Sequence, residues 1–166
     1  MAVNLRLMRS TDIEDVCAIQ QEAYVPDMVE DGEVLRERLL ACAETSWVAE
    51  DEYGLCAYLF GYRSVLGKVS PLGYQFKHVA GADSLYLHDL AVSQRVGGQG
   101  VGALLVRLAL QQAVAQGLRH SCLVSVQSST VFWSRLGYLQ QELADPVQQA
   151  SLQTYTGPAW YMARKL

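Results

Sequence analysis

The 166-residue sequence lacks several features that mark whole classes of protein. It has no run of about 18 to 20 apolar residues, the length that a membrane-spanning helix needs. Its first six residues, Met1 to Arg6, include no apolar segment of the kind found in signal peptides. We therefore expect a cytoplasmic protein that does not bind a membrane.

Basic residues and paired cysteines are also scarce. There are 13 lysines and arginines against 17 acids, which gives a formal net charge of −4. A nucleic-acid-binding protein usually carries a basic stripe, so we expect no nucleic acid among the partners. The four cysteines form no CxxC motif, and no Cys/His pair suggests zinc, so we predict buried thiols and no metal site.

The composition is typical of a globular protein, with 51% hydrophobic and 18% charged residues. No repeat, low-complexity tract or linker is present, so we predict one domain, residues 1–166. Strands and helices alternate, which indicates an α/β or α+β fold with a mixed sheet. The predicted strands are residues 5–9, 47–50, 55–61, 85–92, 121–127 and 159–164, with a further strand from about 137. The predicted helices are 13–24, 32–43, 101–116 and 129–136.

A glycine-rich turn, Gly97 to Gly102, stands between strand 85–92 and helix 101–116, with four glycines in six residues. The first amides of a helix have no intrahelical partner, and the helix dipole adds partial positive charge there. Glycines let the backbone approach a phosphate closely. The turn therefore predicts a pyrophosphate site.

Three phosphate-binding motifs compete for this turn. A Walker A loop needs a lysine after its glycines, and none follows here. A dinucleotide fingerprint can be read from Gly98, Gly100 and Ala103, but it should follow the first strand and carry an acid about 20 residues later. Residues 119–122 are instead Arg-His-Ser-Cys. The remaining interpretation is coenzyme A.

Two segments resemble motifs of the GNAT superfamily of N-acetyltransferases. The first is LAVSQRVGGQGVGALL at residues 90–105. It is similar to the family's acetyl-CoA motif, in which (Gln/Arg)-x-x-Gly-x-(Gly/Ala) opens a helix. The second, FWSRLGY at residues 132–138, is similar to the family's F-Y-x-x-x-G-F segment. The order and spacing of the two segments also agree with the family.

The resemblance implies a mixed, splayed central sheet flanked by helices, with acetyl-CoA as co-substrate. Its pantetheine would lie between the strands that end near Val92 and Val126, and the amides of the turn would hold its pyrophosphate. The resemblance further implies direct acetyl transfer, in a ternary complex, to a primary amine of a small molecule or peptide. The implied cofactor-binding residues are Leu90, Ala91, Val92, Gly97, Gly98, Gln99, Gly100, Val101, Gly102, Ala103, Gln127 and Trp133.

The chain departs from the family pattern at two positions. Gly97 stands where the family has Gln or Arg, and Arg95 is a candidate replacement for the missing side chain. Trp133 stands where many relatives have the tyrosine that protonates the thiolate. An indole N–H is not a practical proton source at neutral pH, so Tyr138, Ser134 or water are the alternative donors.

An alkylamine has a pKa of about 10, so it must lose a proton before it attacks a thioester. By resemblance, His88 occupies a strand position where several relatives carry a glutamate that acts through water. We therefore predict His88 as the catalytic residue, the alternative being a histidine that is satisfied by its sheet neighbours. Asp89 faces the opposite side of a regular strand, unless a bulge intervenes.

We expect the acceptor pocket between the first two helices and the loop 62–84. Pro26 lies on the helix side, and Tyr62, Phe76 and His78 lie in the loop. The loop aromatics either stack on a substrate or anchor the loop. The predicted substrate contacts are Tyr24, Asp27, Tyr74 and Asp89.

A second functional hypothesis is a GNAT-fold sensor or interaction module that binds acetyl-CoA without turnover. The departures at Gly97 and Trp133 favour it. The apolar segment Trp160-Tyr161-Met162 is the candidate contact of a homodimer.

Overall fold

The computed structural model describes residues 2–76 and 79–166, so the predicted pocket residue His78 lies outside the described residues. Seven strands of the described chain form one sheet in the order β1-β2-β3-β4-β5-β7-β6. Strands β4 and β5 run parallel, whereas the other neighbours are antiparallel, which confirms the predicted mixed sheet. The strands are β1 (Asn4–Leu7), β2 (Ser46–Asp51), β3 (Gly54–Ser64), β4 (Ser84–Val92), β5 (His120–Ser125), β6 (Leu139–Gln140) and β7 (Trp160–Lys165).

The helices of the described chain flank this sheet. They are α1 (Ile13–Ala23), α2 (Gly32–Cys42), α3 (Val101–Ala115), α4 (Thr130–Arg135) and α5 (Pro146–Leu152). Helix α5 is absent from the predicted elements. Its proline occupies the first turn, where a missing N–H costs nothing, and the Asp145 side chain accepts the Val147 N–H. Among the helices described, none has the length and apolar character needed to cross a membrane.

The sheet separates two apolar cores. Helices α1 and α2 contact one face, where Tyr58 and Phe60 of β3 are buried. Helix α3 contacts the other face, where Leu59 of β3 is buried. Successive side chains of a strand point to opposite faces, so one strand supplies both cores. This explains why β3 reads as a nearly continuous apolar run.

Strand β7 lies between β5 and β6, where it pairs on both sides. Of the segment predicted as a dimer contact, Tyr161 and Met162 are buried in the two cores, while Trp160 is about half exposed. The homodimer stays a prediction.

The packing of α3 can be tested with two adjacent leucines. Leu105 is fully buried, whereas Leu104 is 40% exposed. We expect Leu105→Ala to lower the free energy of unfolding by about 2–5 kcal/mol, because it leaves a cavity. Leu104→Ala should cost less than about 1 kcal/mol. Urea denaturation measures both variants, and equal losses would contradict the described orientation of α3.

Candidate active site

Strands β4 and β5 separate part-way along their length. They pair in parallel from Ser84 with His120 to Leu87 with Leu123. Beyond Leu87, β4 continues to Val92 beside β3, and the described structure contains no further pairing between β4 and β5. A gap therefore opens between two neighbouring strands, as the resemblance implies.

A β-bulge in β4 lies where the strands separate. Leu87 pairs with Gly61 of β3 and Asp89 pairs with Phe60, so His88 is an extra residue in β4. In a regular strand His88 and Asp89 would face opposite sides of the sheet. Because the bulge interrupts this alternation, both residues line the same cavity.

This cavity has a volume of ≈ 940 Å³, open mouth included, and it extends from the gap between β4 and β5. The predicted site residues that line it are Tyr24, His88, Asp89, Leu90, Ala91, Val92, Gln127 and Trp133. Asp27 and Tyr74 are outside the described lining, and Tyr74 is 65% exposed. The structure therefore does not bring these two residues together with the other predicted site residues, and their role as acceptor contacts stays a prediction.

Asp89 accepts hydrogen bonds from two tyrosines. The Tyr24 hydroxyl donates to Oδ1 at 2.7 Å, and the Tyr58 hydroxyl donates to Oδ2 at 2.8 Å. The Tyr24 oxygen also lies 2.9 Å from the carbonyl oxygen of Leu90. Burial raises the pKa of Asp89, although both hydroxyls favour its charged form. Asp89 is therefore a stronger base than an exposed aspartate.

Glu30 and Arg38 form a buried ion pair next to His88. The guanidinium donates to both carboxylate oxygens, and neither side chain is more than 6% exposed. Burial opposes ionisation of Glu30, but His88 and Arg38 together lower its pKa to about 2. Glu30 is therefore negatively charged at neutral pH.

The His88 imidazole is enclosed on several sides. Its side chain is 1% exposed, and Nε2 lies 3.4 Å from Oε1 of Glu30. The rings of Phe76 and Tyr86 lie at centroid distances of 5.1 and 6.2 Å. Within residues 2–76 and 79–166, Nδ1 of His88 has no hydrogen-bond partner. Among the same described residues, no group of three or more acidic, histidine or cysteine side chains could hold a metal ion. One nitrogen of a buried base is thus left unpaired, while the catalytic role of His88 stays a prediction.

The loop between β3 and β4 is tied to the same ion pair. The Gly73 N–H donates to Oε2 of Glu30 at 2.8 Å. Phe76 stacks on Tyr62 with ring centroids 4.1 Å apart, and both rings are buried in the core. Tyr62 and Phe76 therefore anchor the loop, which is one of the two roles predicted for the loop aromatics.

Gln127 links the end of β5 to the end of α1. Its backbone has a φ of +50°, in the left-handed region that few non-glycine residues adopt. Its Oε1 accepts the Val25 N–H at 3.0 Å, and its Nε2 donates to the Ala23 carbonyl oxygen at 3.1 Å. These two bonds hold the residues on either side of Tyr24 against the mouth of the gap.

The turn before α3 presents free backbone donors. Gly98 and Gly100 have φ of +73° and +82°, and a Cβ on either would meet nothing within 4 Å. The first bond of α3 runs from the Leu104 N–H to the Gly100 carbonyl oxygen. The amides of residues 101–103 therefore have no intrahelical acceptor. Open space and N–H groups coincide here, which fits a pyrophosphate.

Two of the predicted cofactor-binding residues in the turn use their backbone N–H groups within the protein. The Gly97 N–H donates to the Gln94 carbonyl oxygen at 3.1 Å, and the Gln99 N–H donates to that of Val96 at 3.3 Å. These bonds shape the loop ahead of α3. Gly97 and Gln99 therefore contribute to the form of the turn without offering free amides.

Arg95 is engaged away from the turn. It pairs with Asp51 and donates to the carbonyl oxygens of Gly54 and Leu55 at 3.1 and 2.9 Å. All three partners belong to the β2–β3 hairpin. Arg95 thus braces this hairpin and does not replace the side chain missing at Gly97.

Gly102 brings the start of α3 against the cavity wall. A Cβ at this position would lie 3.2 Å from Cγ2 of Val92, 3.6 Å from Cζ of Phe132 and 3.7 Å from Cδ2 of Leu90. All three neighbours line the cavity. One extended ligand can therefore contact both the free amides and the gap between the strands.

Trp133 lines the cavity, whereas Tyr138 and Ser134, the two side chains predicted as alternative proton donors, are outside the described lining. The Trp133 ring packs edge-on against Phe132 and Tyr138 at 4.9 and 5.5 Å. The Tyr138 hydroxyl bonds Ser121 at 2.7 Å in the core beneath α3, and Ser134 is exposed. Neither Tyr138 nor Ser134 is placed to protonate a group in the cavity.

Comparison of the sequence with models of protein families identifies the family of this chain. The model of the acetyltransferase (GNAT) family matches residues 13–138, which include the bulge, the gap and the glycine turn. The chain belongs to the GNAT family. No curated protein matches it.

Solved GNAT structures share the fold at low sequence identity. The chain is 13% identical to PaiA N-acetyltransferase from Thermoplasma acidophilum in complex with coenzyme A, covering 100% of both chains, with a TM-score of 0.72. It is 14% identical to Arabidopsis thaliana Naa50 bound to the bisubstrate analogue CoA-Ac-MVNAL, covering 100% of both chains, with a TM-score of 0.69. GphF, a GNAT-like decarboxylase in complex with isobutyryl-CoA, is 14% identical over 98% of both chains, with a TM-score of 0.75. All three hold coenzyme A or a derivative, and the likeness shows the fold.

Several lining residues are absent from the predicted site: Met28, Glu30, Leu72 and Tyr155. Glu30 lies in an acidic run before α2 that is typical of a helix start, so no local signal marks it. Tyr155 follows the unpredicted helix α5. Their place in the cavity results from long-range packing.

The glycine turn can be tested with one substitution at each end of α3. Gly100→Glu puts bulk and negative charge among the free amides. Gly117 at the other end has a similar φ of +80° and equally open surroundings, so Gly117→Glu is a matched control for backbone strain. By calorimetry we expect the Kd for coenzyme A to rise at least about 100-fold for Gly100→Glu only, a loss of about 2.7 kcal/mol. Equal affinity in the two variants would contradict this site.

The ion pair of Glu30 predicts a pH dependence of stability. The carboxyl has a pKa of about 2 in the folded protein and 4.5 as its ordinary value. Its contribution is therefore present above about pH 4.5 and lost as the pH falls towards 2. Relative to Glu30→Gln, we expect the wild-type free energy of unfolding to fall by on the order of 3 kcal/mol over this interval. Urea denaturation at a series of pH values measures it.

Glu33→Gln is the control for this experiment. The Glu33 side chain is 74% exposed in its ion pair with Arg36, so this variant should keep the wild-type pH dependence. If an unpaired Arg38 destabilises Glu30→Gln too far, the double variant Glu30→Gln/Arg38→Met removes that charge as well. Parallel curves for the wild type and the Glu30 variants would refute the assignment.

Proposed function

We propose that this protein is an acetyl-CoA-dependent N-acetyltransferase. It moves the acetyl group to a primary amine of a small molecule or peptide by direct transfer in a ternary complex. The observation that carries the proposal is the contact between the free amides of α3 and a cavity that contains the strand gap, His88 and Asp89. A diphosphate at the turn places the thioester of the same molecule at the gap.

The charges of the cavity support an amine acceptor. Its lining includes the carboxylates of Glu30 and Asp89, whereas Arg38, which neutralises Glu30, is outside the described lining. A buried carboxylate attracts an ammonium group. The same charges disfavour an anionic acyl group, such as the carboxylated one that a decarboxylase requires.

Protonation chemistry supports a role for His88. An ammonium group loses two protons when it becomes an amide, one of which ends on the departing sulfur. We assign the acceptance of the other proton to His88, whose Nδ1 is unpaired in the described chain. Glu30 lies 3.4 Å from Nε2, on the other side of the ring, and leaves Nδ1 as the unpaired nitrogen.

A sensor that binds acetyl-CoA without turnover is the second candidate. Gly97 offers no side chain to the coenzyme, and Trp133 offers no practical proton to the thiolate. Both candidates share the acetyl-CoA site, so only turnover distinguishes them.

The deciding experiment mixes the protein with acetyl-CoA and a panel of primary amines and measures free coenzyme A. We expect release that depends on the amine, and we expect His88→Ala to lower turnover by about 100- to 10,000-fold while acetyl-CoA still binds. His120→Ala is the control, because His120 lies where β4 and β5 are still paired. Binding without release on any amine would establish the sensor.

A further inference from the structure

Tyr24 is distinguished by where its hydroxyl lies. It is hydrogen-bonded to Asp89 and lies 2.9 Å from the carbonyl oxygen of Leu90, a backbone atom in the unpaired part of β4. Both of these neighbours line the cavity, as does Tyr24 itself. An O–H donor thus stands at the gap where the proposed function places the thioester.

The other hydroxyls of the described lining are engaged elsewhere. The Tyr155 hydroxyl donates to the Ser70 carbonyl oxygen at 2.7 Å, inside the β3–β4 loop. The Ser129 hydroxyl pairs with that of Ser125 at 2.8 Å. Tyr24 therefore has the best placed hydroxyl for a leaving group at the gap.

The backbone around Tyr24 holds this hydroxyl in place. The Tyr24 N–H donates to the Gln20 carbonyl oxygen at 3.0 Å and so ends α1. Gln127 bonds the residues before and after it, Ala23 and Val25. The phenol is thus positioned by protein contacts before a substrate arrives, as a proton donor should be.

We propose, on the basis of the proposed function, that Tyr24 is a catalytic residue. Its hydroxyl protonates the thiolate that leaves acetyl-CoA, and Asp89 supplies the proton that restores the phenol. Tyr24 and Asp89 together carry one proton from the attacking nitrogen to the departing sulfur.

In this proton relay through Asp89 and Tyr24, every proton is accounted for. His88 takes the first proton of the ammonium, which leaves a neutral amine. As its nitrogen bonds the acetyl carbon, Asp89 takes the second proton. Tyr24 gives its proton to the sulfur as the carbon–sulfur bond breaks, and Asp89 passes its own proton to the Tyr24 oxygen along their 2.7 Å hydrogen bond. The products are an amide, a thiol and one proton released from His88.

Coupling to Asp89 is what allows Tyr24 to act. Burial and the neighbouring carboxylate raise the pKa of Tyr24 well above its ordinary value, so a free phenolate is unfavourable. A protonated Asp89 at hydrogen-bond distance returns a proton while Tyr24 gives one up, so the phenolate never has to persist. The pair can therefore do what an isolated buried tyrosine cannot.

Tyr58 supplies a matched control for Tyr24. Both hydroxyls donate to Asp89, at 2.7 and 2.8 Å, but Tyr58 lies outside the described lining of the cavity. Tyr24→Phe should lower kcat with acetyl-CoA at least about 100-fold with little change in KM for acetyl-CoA. Tyr58→Phe, which removes the same bond to the carboxylate, should lower kcat by less than about tenfold.

A second acetyl donor separates proton donation from a structural role. An acetyl-CoA analogue that ends in an aromatic thiol keeps the pyrophosphate but releases a more acidic thiol, which leaves without a proton. With this donor, Tyr24→Phe should acetylate the amine nearly as fast as the wild type. Equal kcat losses for Tyr24→Phe with both donors, or an unchanged kcat with acetyl-CoA, would overturn the relay while leaving the N-acetyltransferase intact. If the wild type itself releases no coenzyme A with any amine, the proposed function and the relay both fail.

Discussion

The separation of β4 from β5 is the constraint on which the site depends. Strand pairing stops after Leu87 and Leu123, so the backbone of β4 beyond that point lacks its neighbour on one side. Buried N–H and C=O groups need partners, and a gap between strands is therefore a place for a ligand with an amide-containing chain. The bulge at His88 begins at the same point and turns two titratable side chains into the gap.

The pKa values of the two carboxyl groups that line the cavity are shifted in opposite directions. Glu30 is neutralised by Arg38 and has its pKa lowered to about 2, whereas burial raises the pKa of Asp89, whose described hydrogen-bond donors are two neutral hydroxyls. Two acids whose environments shift their pKa values in opposite directions commonly have different roles. Glu30 ties the β3–β4 loop through Gly73, whereas the proposed relay uses Asp89 to exchange a proton.

The two departures from the family motifs, at Trp133 and Gly97, have different structural consequences. A phenol is absent at Trp133, but Tyr24 reaches the same cavity from the end of α1. The side chain missing at Gly97 is not replaced by Arg95, because that guanidinium braces the β2–β3 hairpin. Binding of a pyrophosphate then depends on the free backbone amides at the start of α3, which are present whatever the side chains are.

The sequence by itself determined the order of strands and helices, the glycine turn and the family, because apolar periodicity and a helix start are encoded by residues close together in the chain. It did not reveal α5, the place of Glu30 beside His88, or the exposure of Asp27 and Tyr74. The bond between Tyr24 and Asp89 joins residues 65 positions apart. Only the tertiary structure decided these features, because they depend on strand register, on one bulge and on packing between distant segments, none of which leaves a local pattern.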